Sequence, residues 1–123
     1  MSESKTKRTV SDAENIFSRL MAVIESRKTD AGARSYTARL LAGGLPKIGE
    51  KIREEAAEAV EAAGEEGAAG QEHLVKEAAD VIYHLFVLLA LREVSLSQVE
   101  AELSRRFGTS GLDEKASRGQ GGN

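Results

Sequence analysis

The stretch from His73 to Leu91, HLVKEAADVIYHLFVLLAL, decides the fold. Its apolar residues recur three and four apart, which is the spacing of a helix face. Leu74, Val75, Ala78, Val81, Ile82, Leu85, Phe86, Leu88 and Leu89 together cover most of the circumference. A helix apolar nearly all round is surrounded by protein and does not lie on a surface. One polar stripe crosses it, made of His73, Glu77, Asp80 and His84. The strongly apolar part, Val81 to Leu91, is interrupted by Tyr83 and His84 and is too short to span a bilayer, so a buried helix from about Gln71 to Arg92 is expected.

Outward from this helix the same periodicity persists, and no alternation is long enough for a strand. The spacing predicts five helices. The first opens at Ser11, which can cap while Glu14 reaches back, and carries Ile16, Phe17, Leu20, Met21 and Ile24 before fading near Lys28. Ser35 caps a short second helix through Leu41, which the Gly43-Gly44 pair terminates. Pro46 suits the first turn of a third, which runs to about Ala63, and Gly64, Gly67 and Gly70 mark a loop. Ser95 with Gln98 repeats the capping-box signal for a fifth helix, which uses Leu96, Val99 and Leu103 and stops at Gly108. Short-looped amphipathic helices bury their stripes best against each other, so the class is an all-α helical bundle. The domain is expected over 11–118, between disordered tails at 1–10 and 119–123.

Composition narrows the function. At 123 residues and 13.2 kDa the chain fits one domain, and alanine supplies 18 of its apolar residues, so the core is thin for a monomer. With no Cys, one Pro and five aromatics, disulfide scaffolds, thiol catalysis, Cys-ligated zinc and aromatic-stacking RNA modules are excluded. A net charge of −3 is the wrong sign for a general nucleic-acid binder. The first nine residues hold no apolar segment resembling a secretory signal, and a cytoplasmic location is expected.

On a wheel the third helix gathers Ile48, Ile52, Ala56, Ala59, Val60 and Ala63 on one side and Glu54, Glu58 and Glu61 on the other. Glu55 sits at the edge of the apolar stripe one turn from Glu58, so the two carboxylates can converge near the core boundary. On the fourth helix Glu77 and Asp80 are carboxylates in an apolar surround, and they demand a positive partner. That partner is either an Arg or Lys or a hard divalent cation held by Glu55, Glu58, Glu77 and Asp80. Oxygen-only ligation points to Mg²⁺ or Mn²⁺, and such sites complete their octahedron with water and substrate phosphate. The corresponding chemistry is cleavage of a phosphate ester or anhydride. The Glu-x-x-His pairs of di-iron bundles are missing. His73 and His84 read as hydrogen-bonded packing residues before ligands or bases. Lys47 and Lys51, with Arg105, Arg106, Lys115 and Arg118 further on, are either phosphate contacts or ordinary surface charges.

These residues resemble a known family, the phosphoribosyl-ATP pyrophosphohydrolases of histidine biosynthesis. The matching text is Ser35-Tyr36-Thr37-Ala38-Arg39-Leu40, Lys47-Ile48 through Lys51, and Glu54-Glu55-Ala56-Ala57-Glu58. It continues with Glu77-Ala78-Ala79-Asp80-Val81-Ile82-Tyr83-His84-Leu85 and Ser110-Gly111-Leu112-Asp113-Glu114-Lys115-Ala116-Ser117-Arg118. The Glu-Glu-x-x-Glu then Glu-x-x-Asp pattern is shared by all MazG-type α-helical nucleotide pyrophosphatases, and the remaining segments narrow the resemblance to the histidine enzyme. It implies Mg²⁺-dependent hydrolysis of phosphoribosyl-ATP to phosphoribosyl-AMP and pyrophosphate in a homodimeric helical bundle. It also implies Glu55, Glu58, Glu77 and Asp80 as metal ligands and Glu54 as a water-orienting carboxylate, with the general base left open among them. Lys47, Lys51, Lys115 and Arg118 are the candidate phosphate contacts. Arg53 stands where the family often has Gly, and residues 1–10 have no counterpart. A housekeeping (d)NTP pyrophosphatase and a non-catalytic metal- or partner-binding bundle are the competing expectations.

Overall fold

The computed structural model describes residues 16–29 and 35–108, and every regular element among them is helical. Helix α1 covers residues 16–26 and tightens into a 3₁₀ turn, Arg27–Thr29. It is followed by α2, Tyr36–Ala63, α3, Gly67–Leu91, and α4, Leu96–Phe107. The chain divides into two compact units, one ending at Glu93 and one beginning at Val94. The expected Ser11 cap, both terminal tails, and Lys115 and Arg118 lie outside the described residues.

Four helices stand where five were expected, because the second and third form one run. The expected break is nevertheless present inside it. Ser35 caps the run, its hydroxyl accepting from the Ala38 N–H at 3.0 Å, and Gly44 then takes φ 74° and ψ −165°. That combination lies in a region open to glycine alone. Gly44 therefore turns the helix sharply between a short leg, residues 36–43, and a long leg, residues 45–63, whose first turn holds Pro46. The glycines after Ala63 also act differently from expectation. Helix α3 starts at Gly67, four residues before the expected Gln71, and Gly70 is buried in its first turn. A Cβ on Gly70 would collide with the Glu65 carbonyl, so this glycine permits a close approach and does not break the helix.

The core of the first unit lies where α2 and α3 run side by side with α1 across them. Ile24, Leu40, Ile48 and Val87 are fully buried, and each contributes roughly 1.5–3 kcal/mol by leaving water. Phe17 of α1 meets Phe86 of α3 edge to face, with centroids 5.8 Å apart. On the long leg the expected stripe is rotated: Ala62 is buried, whereas Val60 is 74% exposed and Ala63 is exposed. The expectation that α3 is surrounded also fails within one chain, since Val75 and Leu85 are largely exposed. In the second unit α4 carries the expected capping box, with Ser95 Oγ accepting from Gln98 N–H and Gln98 Oε1 accepting from Ser95 N–H. Its Glu102 holds both Arg105 and Arg106, which brings the Glu102 pKa down to about 2.

Gly44→Ala should destabilise the protein by about 1–3 kcal/mol, because no alternative φ/ψ preserves both legs. Urea unfolding measures this, and an unchanged midpoint would show that the two legs are not held at their present angle.

Candidate active site

The long leg of α2 and the middle of α3 present their carboxylates to each other. Glu55, Glu77 and Asp80 each offer a carboxylate oxygen, and the three oxygens lie within 4.8 Å of one another. The side chains of Glu55 and Glu77 are only 12% and 14% exposed. In each of these two, Oε1 is buried without a hydrogen-bond partner. Two unsatisfied anionic oxygens facing each other are strongly unfavourable in the absence of a cation. The Glu77 carboxyl shows this, being pushed above the ordinary value by burial first and then by Glu55 and Glu58. Such an all-oxygen set, in which two of the three carboxylates also hold an orphaned oxygen, fits a hard divalent cation and does not suit a soft metal.

The other residues predicted from sequence fall around this centre. Glu58 is exposed and stands outside the 4.8 Å group, yet it is close enough to Glu77 to raise its pKa. Glu54 is half exposed and accepts from Lys51 Nζ at 3.4 Å. Lys51 also approaches Glu55 Oε2 at 3.8 Å, so it is the one predicted cation brought to the cluster among the described residues. Lys47 is exposed one turn earlier, and Arg105 and Arg106 are engaged by Glu102 in the other unit.

Both histidines are hydrogen-bonded, but only His84 is buried, and the His73 side chain is 41% exposed. His73 Nε2 stands 3.3 Å from Glu77 Oε2, and its Nδ1 contacts Glu65 at 3.1 Å. Glu65 first and Glu77 after it hold the His73 pKa above its usual value. His84 is buried at 4% exposure between the Asp80 carbonyl and the Tyr36 hydroxyl. Alongside, Thr37 Oγ1 and the Tyr83 hydroxyl share a short hydrogen bond, and the Tyr36 and Tyr83 rings stack at 6.2 Å.

Sequence reading did not assign Glu65, Tyr36 or Thr37 to the site. For Tyr36 and Thr37 the signal was their place in the Ser-Tyr-Thr segment that carries the family resemblance. Glu65 is in a loop, and no periodicity reports its position. A cavity of about 430 Å³ lined by Arg27, Lys28, Ala38, Leu41, Leu91 and Glu93 lies toward the opposite end of the helix pair and includes none of Glu54, Glu55, Glu58, Glu77 and Asp80.

The raised Glu77 pKa carries a stability consequence. The folded chain binds a proton at Glu77 more tightly than the unfolded chain does, so this group's contribution falls as pH rises from 4.5 through the elevated folded value. In chelator, Glu77→Gln should therefore flatten the decline of the urea midpoint as pH rises above 4.5. Parallel pH curves for variant and parent would mean that Glu77 is not held in a destabilised ionised state.

Comparison with known proteins places the chain in a family. The family model for phosphoribosyl-ATP pyrophosphohydrolase matches residues 17–107. A phosphoribosyl-ATP pyrophosphatase of Rhodopirellula baltica is 53% identical over 100 residues, covering 81% of this chain and 83% of the relative. Proteins of the same name from Erythrobacter litoralis and Rhodobacter capsulatus are each 55% identical, over 105 and 103 residues. These alignments cover 85% and 84% of this chain and 98% and 97% of those relatives. The matched residues include both carboxylate helices and the segments that bond to them, and the chain belongs to the phosphoribosyl-ATP pyrophosphohydrolase family.

Proposed function

We propose that the chain hydrolyses phosphoribosyl-ATP to phosphoribosyl-AMP and pyrophosphate, the second step of histidine biosynthesis. The observation that carries the reading is the pair of buried, partnerless oxygens of Glu55 and Glu77 beside Asp80, in a chain whose relatives bear this activity's name. Glu55, Glu77 and Asp80, with Glu58 at the rim, are the ligands of Mg²⁺ in this proposal, and Mn²⁺ satisfies the same donors. The ion, when bound, neutralises phosphate charge and polarises the bond to be broken.

The chain's own groups supply the rest. Water adds to the α-phosphorus, the α–β anhydride bond breaks, and the leaving group departs as pyrophosphate. Glu54 and Glu58 are exposed carboxylates flanking the Glu55, Glu77 and Asp80 group, placed to orient that water and accept its proton. Lys51, bonded to Glu54 and close to Glu55, carries the positive charge of an ordinary lysine and presents it to the departing phosphates. Lys47 lies one turn before it on the same leg, and Lys115 and Arg118 complete the proposed phosphate contacts.

A homodimer is part of the proposal. Val75 and Leu85 of α3, Val60 and Leu45 of α2, and Ile16 and Val23 of α1 are large apolar side chains exposed in a single chain. A second copy would cover them and supply the enclosure that the composition of α3 demands. No helix among the described residues is long and apolar enough to cross a membrane, in keeping with the proposed cytoplasmic location.

Pyrophosphate release should require Mg²⁺, be abolished by EDTA, and be far faster with phosphoribosyl-ATP than with ATP, dUTP or dCTP. Preference for a deoxynucleotide would move the chain to nucleotide housekeeping. Asp80→Asn should lower turnover by roughly 100-fold or more while leaving the helical circular dichroism unchanged. Near-normal turnover would remove Asp80 from the reaction. Light scattering should give twice the 13.2 kDa chain mass, and a monomer mass would refute the dimer.

A further inference from the structure

Two segments that the carboxylate site does not absorb meet each other across the helix pair. Ser35-Tyr36-Thr37 opens the short leg of α2, and Tyr83-His84 follows Asp80 on α3. Tyr36 Oη lies 3.0 Å from His84 Nε2, and Thr37 Oγ1 bonds the Tyr83 hydroxyl beside it. The His84 ring is further walled by both tyrosines, with centroids 5.9 Å from Tyr36 and 4.9 Å from Tyr83 and edge-on geometry to each.

The protonation pattern of His84 follows from its partners. Its Nδ1 faces the Asp80 carbonyl at 2.8 Å, and a carbonyl oxygen only accepts, so Nδ1 carries a proton. In the neutral ring Nε2 is then an acceptor, and the Tyr36 hydroxyl donates to it. The imidazole is 4% exposed and out of reach of a substrate, so any influence it has on the reaction passes through Asp80. The Asp80 carbonyl is the point to which the imidazole is fixed, and the Asp80 carboxylate leaves the same Cα toward Glu55 and Glu77.

We propose that Tyr36 is a positioning residue for the metal site, acting through His84 to fix the turn of α3 that carries Asp80. The inference rests on the metal reading given above. Its physical content is that the partners of a metal-ligating residue set how far the ligand wanders from its coordinating position. Loss of such partners typically weakens metal affinity about 10–100-fold. The Tyr36–His84 bond is made from the short leg, which Gly44 sets at an angle to the long leg that carries Glu55.

The test is Mn²⁺ affinity of the full-length protein, read by the loss of the free-ion electron paramagnetic resonance signal, with no substrate present. Tyr36→Phe removes only the hydroxyl, and affinity should fall about 10–100-fold with the fold intact. His84→Asn keeps a donor for the Asp80 carbonyl but gives up the Tyr36 link, and adding Tyr36→Phe to it should weaken binding no further. Thr37→Val cuts the neighbouring cross-link of the same leg and should lower the unfolding midpoint with less than a twofold change in affinity.

Unchanged affinity in Tyr36→Phe overturns the proposal alone. So does an additive loss in the double variant, which would make Tyr36 act directly, and so does a Thr37→Val loss equal to that of Tyr36→Phe, which would reduce the effect to general loosening. A parent protein that binds neither Mn²⁺ nor Mg²⁺ overturns the metal reading and this inference with it.

Discussion

Two carboxylate oxygens buried against each other without a hydrogen-bond donor are the constraint around which the rest of this chain is arranged. Glu55 and Glu77 lie on different helices, so their mutual repulsion acts to separate α2 from α3. The apolar contacts of Ile48, Leu40 and Val87 oppose that separation and hold the anions in place. Hydrophobic burial is here used to preorganise a site of negative charge, which is the reverse of the usual view that a buried charge needs its partner in order to fold. In the proposed reaction, a polyphosphate would meet a centre already shaped, with little reorganisation left to the reacting complex.

The fold class and the carboxylate centre were legible in the sequence because both depend on local spacing. Glu77 and Asp80 are three residues apart in a helix apolar on its other faces, and that alone fixes their common side and their need for a cation. Ser35 and Ser95 announced their caps, since capping is chemistry between residues three apart. The Gly43-Gly44 pair was legible as a break but not as an angle, because two glycines specify freedom and not the direction in which it is used.

What was not legible is long-range. The bonds of Tyr36 to His84 and Thr37 to Tyr83 join residues 48 and 46 positions apart, and nothing in a single sequence pairs them. Gly70 misled for a related reason. Its lack of a side chain serves an approach by the Glu65 carbonyl and not the backbone freedom that a helix-breaking glycine provides. The exposed Val60 and buried Ala62 show that a wheel with small alanine contrast cannot fix the facing side of a helix to better than one position in the turn. Glu58 sits at the rim of the cluster for the same reason: its spacing from Glu55 assured proximity but left its depth undetermined.

The interruption at Gly44 also has a thermodynamic side. A helical segment as short as residues 36–43 is not stable by itself in water, because so few turns do not offset the nucleation penalty. Its order is borrowed from α3 through buried Leu40, Thr37 and Ala38 and the two side-chain bonds. The segment is accordingly a separate opening unit, released from the rest of α2 by the glycine, and its opening free energy is set by its contacts with α3 rather than by the long leg. Under the proposed metal reading, binding at the carboxylates and closure of this small unit are linked quantities, and tightening one would slow amide hydrogen exchange in the other.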